Sequence, residues 1–191
     1  MLDSSSDFGP KTATLRRFTR HEYDRMVDAG IFGEDDHIEL LNGLVTNMTP
    51  QGEPHAFSVR RLNRILVLLC GNDADVGPQL SFAASDDSEP EPDLAVTPVV
   101  TTTDDHPATA YLVVEVANTS LHHDRAVKSP IYARAAVPEY WIVDVQRRHI
   151  EVYSEPMGDH YGTARVARIG DTIELVALPG RRVAVADVFP A

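Results

Sequence analysis

One cysteine, Cys70, stands in the 191 residues, which excludes an internal disulfide and any multi-cysteine zinc site. Lysine is almost as scarce, with Lys11 and Lys128 set against 15 arginines. The longest strictly apolar run, Ile65 to Cys70, has six residues, far short of the ~20 a membrane-spanning helix needs. Met1-Leu2-Asp3-Ser4 lacks the basic and apolar regions of a signal peptide, so the chain reads as cytoplasmic, with no membrane partner. A phosphate-binding glycine-rich loop, a G-x-S-x-G elbow and an H-E-x-x-H pair are all missing, which removes the serine hydrolase and zinc protease readings.

Positive charge is also in short supply. The net charge of −12 argues against a broad basic face for nucleic acid. The excess is local: residues 86–120 carry eight acids and no lysine or arginine. Such a stretch reads either as a solvated loop or as a metal site, because packed carboxylates need a cation.

What is present is ordinary for a globular protein, with 43% apolar and 24% charged residues. Residues 1–17 read as a flexible N-terminal tail and 18–191 as one domain, long enough to bury a core. Thr19 and Glu22 form a capping box that starts a short helix, which Gly30 can end. Asn42-Gly43 between two apolar segments predicts a hairpin. Val59, Leu62, Ile65, Leu66 and Leu69 lie on one face of a helix over 55–70, with Arg60, Arg61 and Arg64 towards the other. Short strands are expected over 75–80 and 93–96, and buried ones over 111–116 and 140–145, the second pairing with 149–153. Residues 121–136 have a helical composition, disturbed by Pro130. The order of elements predicts an α/β or α+β protein, a mixed central sheet flanked by helices.

Glu115 sits in the run Leu112-Val113-Val114-Glu115-Val116, where an ionised carboxylate is costly unless a cation or hydrogen bonds compensate it. A strand-end glutamate turned to solvent is the plainer reading, and both stand at this point. Asp93 opens a strand after Glu91-Pro92; it is either a turn residue or a second carboxylate beside Glu115 on an adjacent strand. Two converging carboxylates with waters are the usual way to hold magnesium against a phosphate ester. Lys128 is either a surface lysine or an ammonium kept where arginine does not serve. Glu39 reads as a half-exposed strand residue, His55 as a cap or surface residue, and His122-His123-Asp124 as a solvated helix start.

At these residues the chain resembles the Uma-two family of small bacterial endonucleases of the PD-(D/E)XK class. The matching stretches are Glu39-Leu40-Leu41-Asn42-Gly43, Met48-Thr49-Pro50 with His55, Glu91-Pro92-Asp93-Leu94-Ala95-Val96, Leu112 to Val116 and Lys128 to Asp144, with Glu151-Val152-Tyr153 following. The resemblance implies a restriction-endonuclease-like core and a metal-dependent endonuclease acting on nucleic acid, DNA above all. It assigns Asp93 to the PD aspartate, Glu115 to the second acid, Lys128 to the lysine displaced onto the next helix, and Glu39 to an early glutamate completing the cluster. Mg²⁺ or Mn²⁺ is the implied cofactor, held by Asp93, Glu115 and Glu39, and Arg60, Arg61, Arg64, Arg125 and Arg134 are the candidate phosphate contacts. The exposed C-terminal strands suit a homodimer. Three positions depart from the family pattern: Leu44, Asn118-Thr119-Ser120-Leu121, and Pro130 two residues past Lys128. Pro130 implies either a kinked helix or a helix with Ser129 as N-cap and Pro130 as its first residue, which leaves Lys128 before it. A catalytically silent module on the same fold, and a hydrolase of another phosphate ester, are the alternatives.

Overall fold

The computed structural model describes residues 14–33, 36–48, 52–99, 101 and 105–190. The larger part of the expected tail, and Thr49 and Pro50 of the family stretch, lie outside the described residues.

Thr19 launches the first helix, α1 (Arg20–Asp28): its hydroxyl accepts the Glu22 amide at 3.2 Å while the Glu22 carboxylate accepts the Thr19 amide at 3.0 Å. The hairpin follows as β1 (Ile38–Leu41) and β2 (Leu44–Asn47). Asn42 and Gly43 both have positive φ, 49° and 77°, as the tightest hairpin turn demands. Only glycine fits the second position, since a Cβ there would lie 2.6 Å from the Arg17 Cβ. The 18-residue helix α2 (Glu53–Cys70) carries Pro54 in its first turn, where a missing N–H costs nothing.

Six strands form the central sheet in chain order: β3 (Asp75–Pro78), β4 (Leu94–Thr97), β5 (Leu112–Ala117), β6 (Glu139–Asp144), β7 (His149–Met157) and β8 (His160–Arg168). Only β5 and β6 run parallel. A parallel neighbour demands a crossover. Here it is helical: α3 (Leu121–His123), a π-helical turn over Asp124–Lys128, and α4 (Ser129–Arg134). A separate ribbon of β9 (Thr172–Glu174) and β10 (Arg182–Ala184) leads to a 3₁₀ turn over Val185–Val188.

The sheet separates two cores because successive side chains on a strand point to opposite faces. Leu112, Val114 and Val116 of β5 pack with Leu62 and Leu66 of α2, Trp141, and Val183 to Phe189 of the C-terminal segment. Val113 and Ala117 pack on the other face with Tyr132, Tyr140 and Phe82. Alternation therefore puts Glu115 on the crossover side. The result is an α+β fold, a mixed six-stranded sheet with helices on both sides. Among the described residues, no helix is long and apolar enough to cross a membrane.

Of the two expectations attached to Pro130, the one that makes Ser129 an N-cap is corrected. Ser129 is itself helical, at φ −54° and ψ −47°, so the backbone stays helical through Lys128. The wide π turn ends with the Ser129 amide bonded to the Asp124 carbonyl, and Pro130, with no N–H to place, stands in the first turn of α4.

Candidate active site

Four elements bring charged side chains to one cavity of about 260 Å³: Glu39 from β1, Asp93 from the mouth of β4, Glu115 from β5, and Lys128 from the end of the π turn. Each has a separate local cause. Glu39 faces inward because its hairpin is fixed by the Asn42-Gly43 turn. Asp93 precedes β4 by one residue, so its carboxylate is free of strand alternation. It accepts the Val116 amide at 2.7 Å, which locks it to β5 next to Glu115. Lys128 extends beneath the crossover and is 5% exposed.

The Lys128 ammonium lies 3.0 Å from Glu39 Oε2 and 3.1 Å from Glu115 Oε1. Burial alone would lower its pKa, but Glu115 and Glu39 outweigh that and hold it raised and charged. Glu115, 4% exposed, is pushed well above the usual carboxylate range by burial; Lys128 pulls it back, while Asp93, Asp124 and Glu39 push it further up. The reading of Glu115 as a solvent-facing strand end is thereby excluded. Tyr132 also donates to Glu115 Oε1, at 2.7 Å. Glu39 Oε2 further accepts the Glu91 amide at 3.2 Å.

Three residues read as surface groups in the sequence belong to this cavity. His55 is 6% exposed and its Nε2 lies 3.0 Å from Asp93 Oδ2. The signal was there: His55 falls on the same helical stripe as Val59, Leu62 and Leu66. Asp124 is 2% exposed, accepts the Ser120 hydroxyl at 2.7 Å, and is raised to about 6, chiefly by burial. His123 lines the cavity beside it. Of the solvated helix start expected at 122–124, His122 is exposed, while Asp124 and His123 are corrected, since the π turn directs Asp124 and Lys128 inward together.

The arginines are placed differently from one another. Arg60, Arg61 and Arg64 are exposed on α2, with Arg60 3.6 Å from Glu53 and Arg61 donating to the Asp187 carbonyl at 3.1 Å. Arg125 is bound through two nitrogens to Glu151, and Arg134 donates to the Asn42 side chain at 2.7 Å. The last two are thus engaged in holding the fold. Among the described residues, no group of three or more His, Cys, Asp or Glu side chains is drawn into the geometry of an ion site; the Lys128 ammonium lies between Glu39 and Glu115.

Residues 20–186 match the sequence model of the Uma2 family, described as "Putative restriction endonuclease". A search of curated proteins finds no match. Among solved structures, the chain is similar to "a putative nuclease belonging to DUF820 from Anabaena variabilis ATCC 29413", with a TM-score of 0.64 and 14% identity over 86% of this chain and 96% of that one. At this identity the likeness concerns the fold, which is restriction-endonuclease-like.

Proposed function

This chain belongs to the Uma2 family, and on that premise we propose that it is a metal-dependent endonuclease that hydrolyses phosphodiester bonds of DNA. The observation that carries the reading is the convergence of Asp93, Glu115, Glu39 and Lys128 on one cavity. The chemistry of the donor set supports Mg²⁺ or Mn²⁺. The set consists of hard carboxylate oxygens, and the cavity gathers Glu39, Glu91, Asp93, Glu115 and Asp124 against a single lysine. Asp93 and Glu115 would hold the ion, with Glu39 bound directly or through water. When bound, the ion supplies Lewis acidity at the phosphoryl oxygen and a more acidic water. Lys128 orients that water or neutralises charge developing on the phosphate.

The test is Mn²⁺ calorimetry together with plasmid nicking, on the wild type and on an Asp93→Ala, Glu115→Ala double variant. Saturable binding and divalent-dependent nicking, both absent from the double variant, are expected. A wild type that neither binds Mn²⁺ nor nicks DNA favours the silent module. A hydrolase of a smaller phosphate ester is the second reading, favoured by the engagement of Arg125 and Arg134 within the chain and by the net charge of −12. Divalent-dependent turnover of bis-p-nitrophenyl phosphate without nicking identifies it.

A further inference from the structure

Asp93 and Glu115 are each contacted by a ring side chain reaching in from a helix. For Asp93 that side chain is His55; for Glu115 it is Tyr132. Such outer contacts decide how a ligating carboxylate is aimed. Lys128 cannot aim Glu115 alone. An ammonium is a compact charge on a flexible stem, and this one is shared with Glu39. A phenol is directional, and its ring has only two side-chain torsions.

The surroundings of Tyr132 fix that ring. It is fully buried, with the Phe82 ring centroid 6.2 Å away and that of Tyr140 5.0 Å away. Tyr140 in turn donates to the Asp124 carbonyl at 3.3 Å, so the same aromatic stack supports the π turn. Lys128 and Tyr132 stand four residues apart on one helical stretch, which explains why both reach the same carboxylate. Both meet Glu115 at Oε1.

We infer that Tyr132 is the positioning residue of Glu115: its hydroxyl commits Oε1 to the protein and so reserves Oε2 for the cavity. The inference rests on the nuclease reading of that cavity.

Tyr132→Phe keeps the ring and the stack and removes only the hydroxyl. Two readouts are needed. The first is isotope-edited infrared spectroscopy without added metal, with the Glu115 carboxyl band identified by its loss in Glu115→Gln. That band is expected to shift in Tyr132→Phe. The second is Mn²⁺ calorimetry with nicking kinetics. Affinity is expected to fall about tenfold, with kcat lowered, KM for DNA unchanged and the melting temperature within a few degrees of wild type. An unshifted band overturns the inference, as does wild-type Mn²⁺ affinity with only a lower melting temperature. If the wild type neither binds Mn²⁺ nor nicks DNA, the nuclease reading fails, and the infrared band alone decides whether Tyr132 aims Glu115.

Discussion

Lys128 Nζ lies 3.0 Å from Glu39 Oε2, and this contact ties the helical crossover to a hairpin that belongs to a different sheet. Both groups are nearly solvent-free, and Glu115 shares the same ammonium. Removing the cation leaves two buried carboxylates facing each other, which is far more costly than losing an exposed pair.

Lys128→Met is therefore expected to destabilise the protein by about 3 kcal/mol. Urea unfolding measures this. Adding Glu39→Gln to Lys128→Met should recover part of the loss, because one uncompensated charge is then gone. A single variant as stable as wild type would show that the bridge contributes nothing net.

His55→Ala removes the contact of 3.0 Å to Asp93. Asp93 keeps its bond from the Val116 amide, so the carboxylate stays in place but is less well aimed. Mn²⁺ affinity should fall about tenfold while the fold persists. Calorimetry beside a far-ultraviolet circular dichroism melt checks both halves.

Asp124 carries a pH dependence. Its pKa is about 6 in the fold, raised chiefly by burial from an ordinary 3.8. The raised folded pKa means that its contribution to stability is fully present below about pH 3.8. That contribution is lost as pH rises through about 6, by about 3 kcal/mol in all. Asp124→Asn should remove this loss, so the variant gains on wild type between pH 4 and 7. Urea midpoints of both proteins across that range, without added metal, measure it; a constant gap would contradict the assignment.

Pro130→Ala is expected to change stability by less than about 1 kcal/mol. A helix-interior proline typically costs about 3 kcal/mol, but this one stands in the first turn of α4 behind a π turn, where the missing donor is tolerated. Thermal melts decide it, and a large stabilisation in the variant would mean that the proline is strained.

Local physics made much of the fold legible. The Thr19 and Glu22 box, the Asn42-Gly43 turn and the apolar stripe of α2 each act over a few residues, and each lies where the sequence put it. The resemblance to a nuclease family singled out Glu39, Asp93, Glu115 and Lys128 for one site, and these four line one cavity. The burial of His55 is legible in its place on the apolar stripe of α2, whereas nothing local marks Asp124 as buried, since its position depends on the π turn folding over the sheet. The partners of the candidate phosphate contacts Arg125 and Arg134, Glu151 and Asn42, are not legible in the sequence because they stand far away in the chain.

Sequence by itself determined most of the element types and, through the matching motif stretches, the family. Those depend on periodicity, turn residues and motif spacing, all short-range properties. Only the tertiary structure decided that Lys128 remains inside the helix despite Pro130, and that Tyr132 and Lys128 share one oxygen of Glu115. It also decided that Asp93 is held by a helix and a strand at once. The physical reason is that hydrogen bonding and burial belong to pairs of distant residues. They exist only after the crossover has folded back over the sheet.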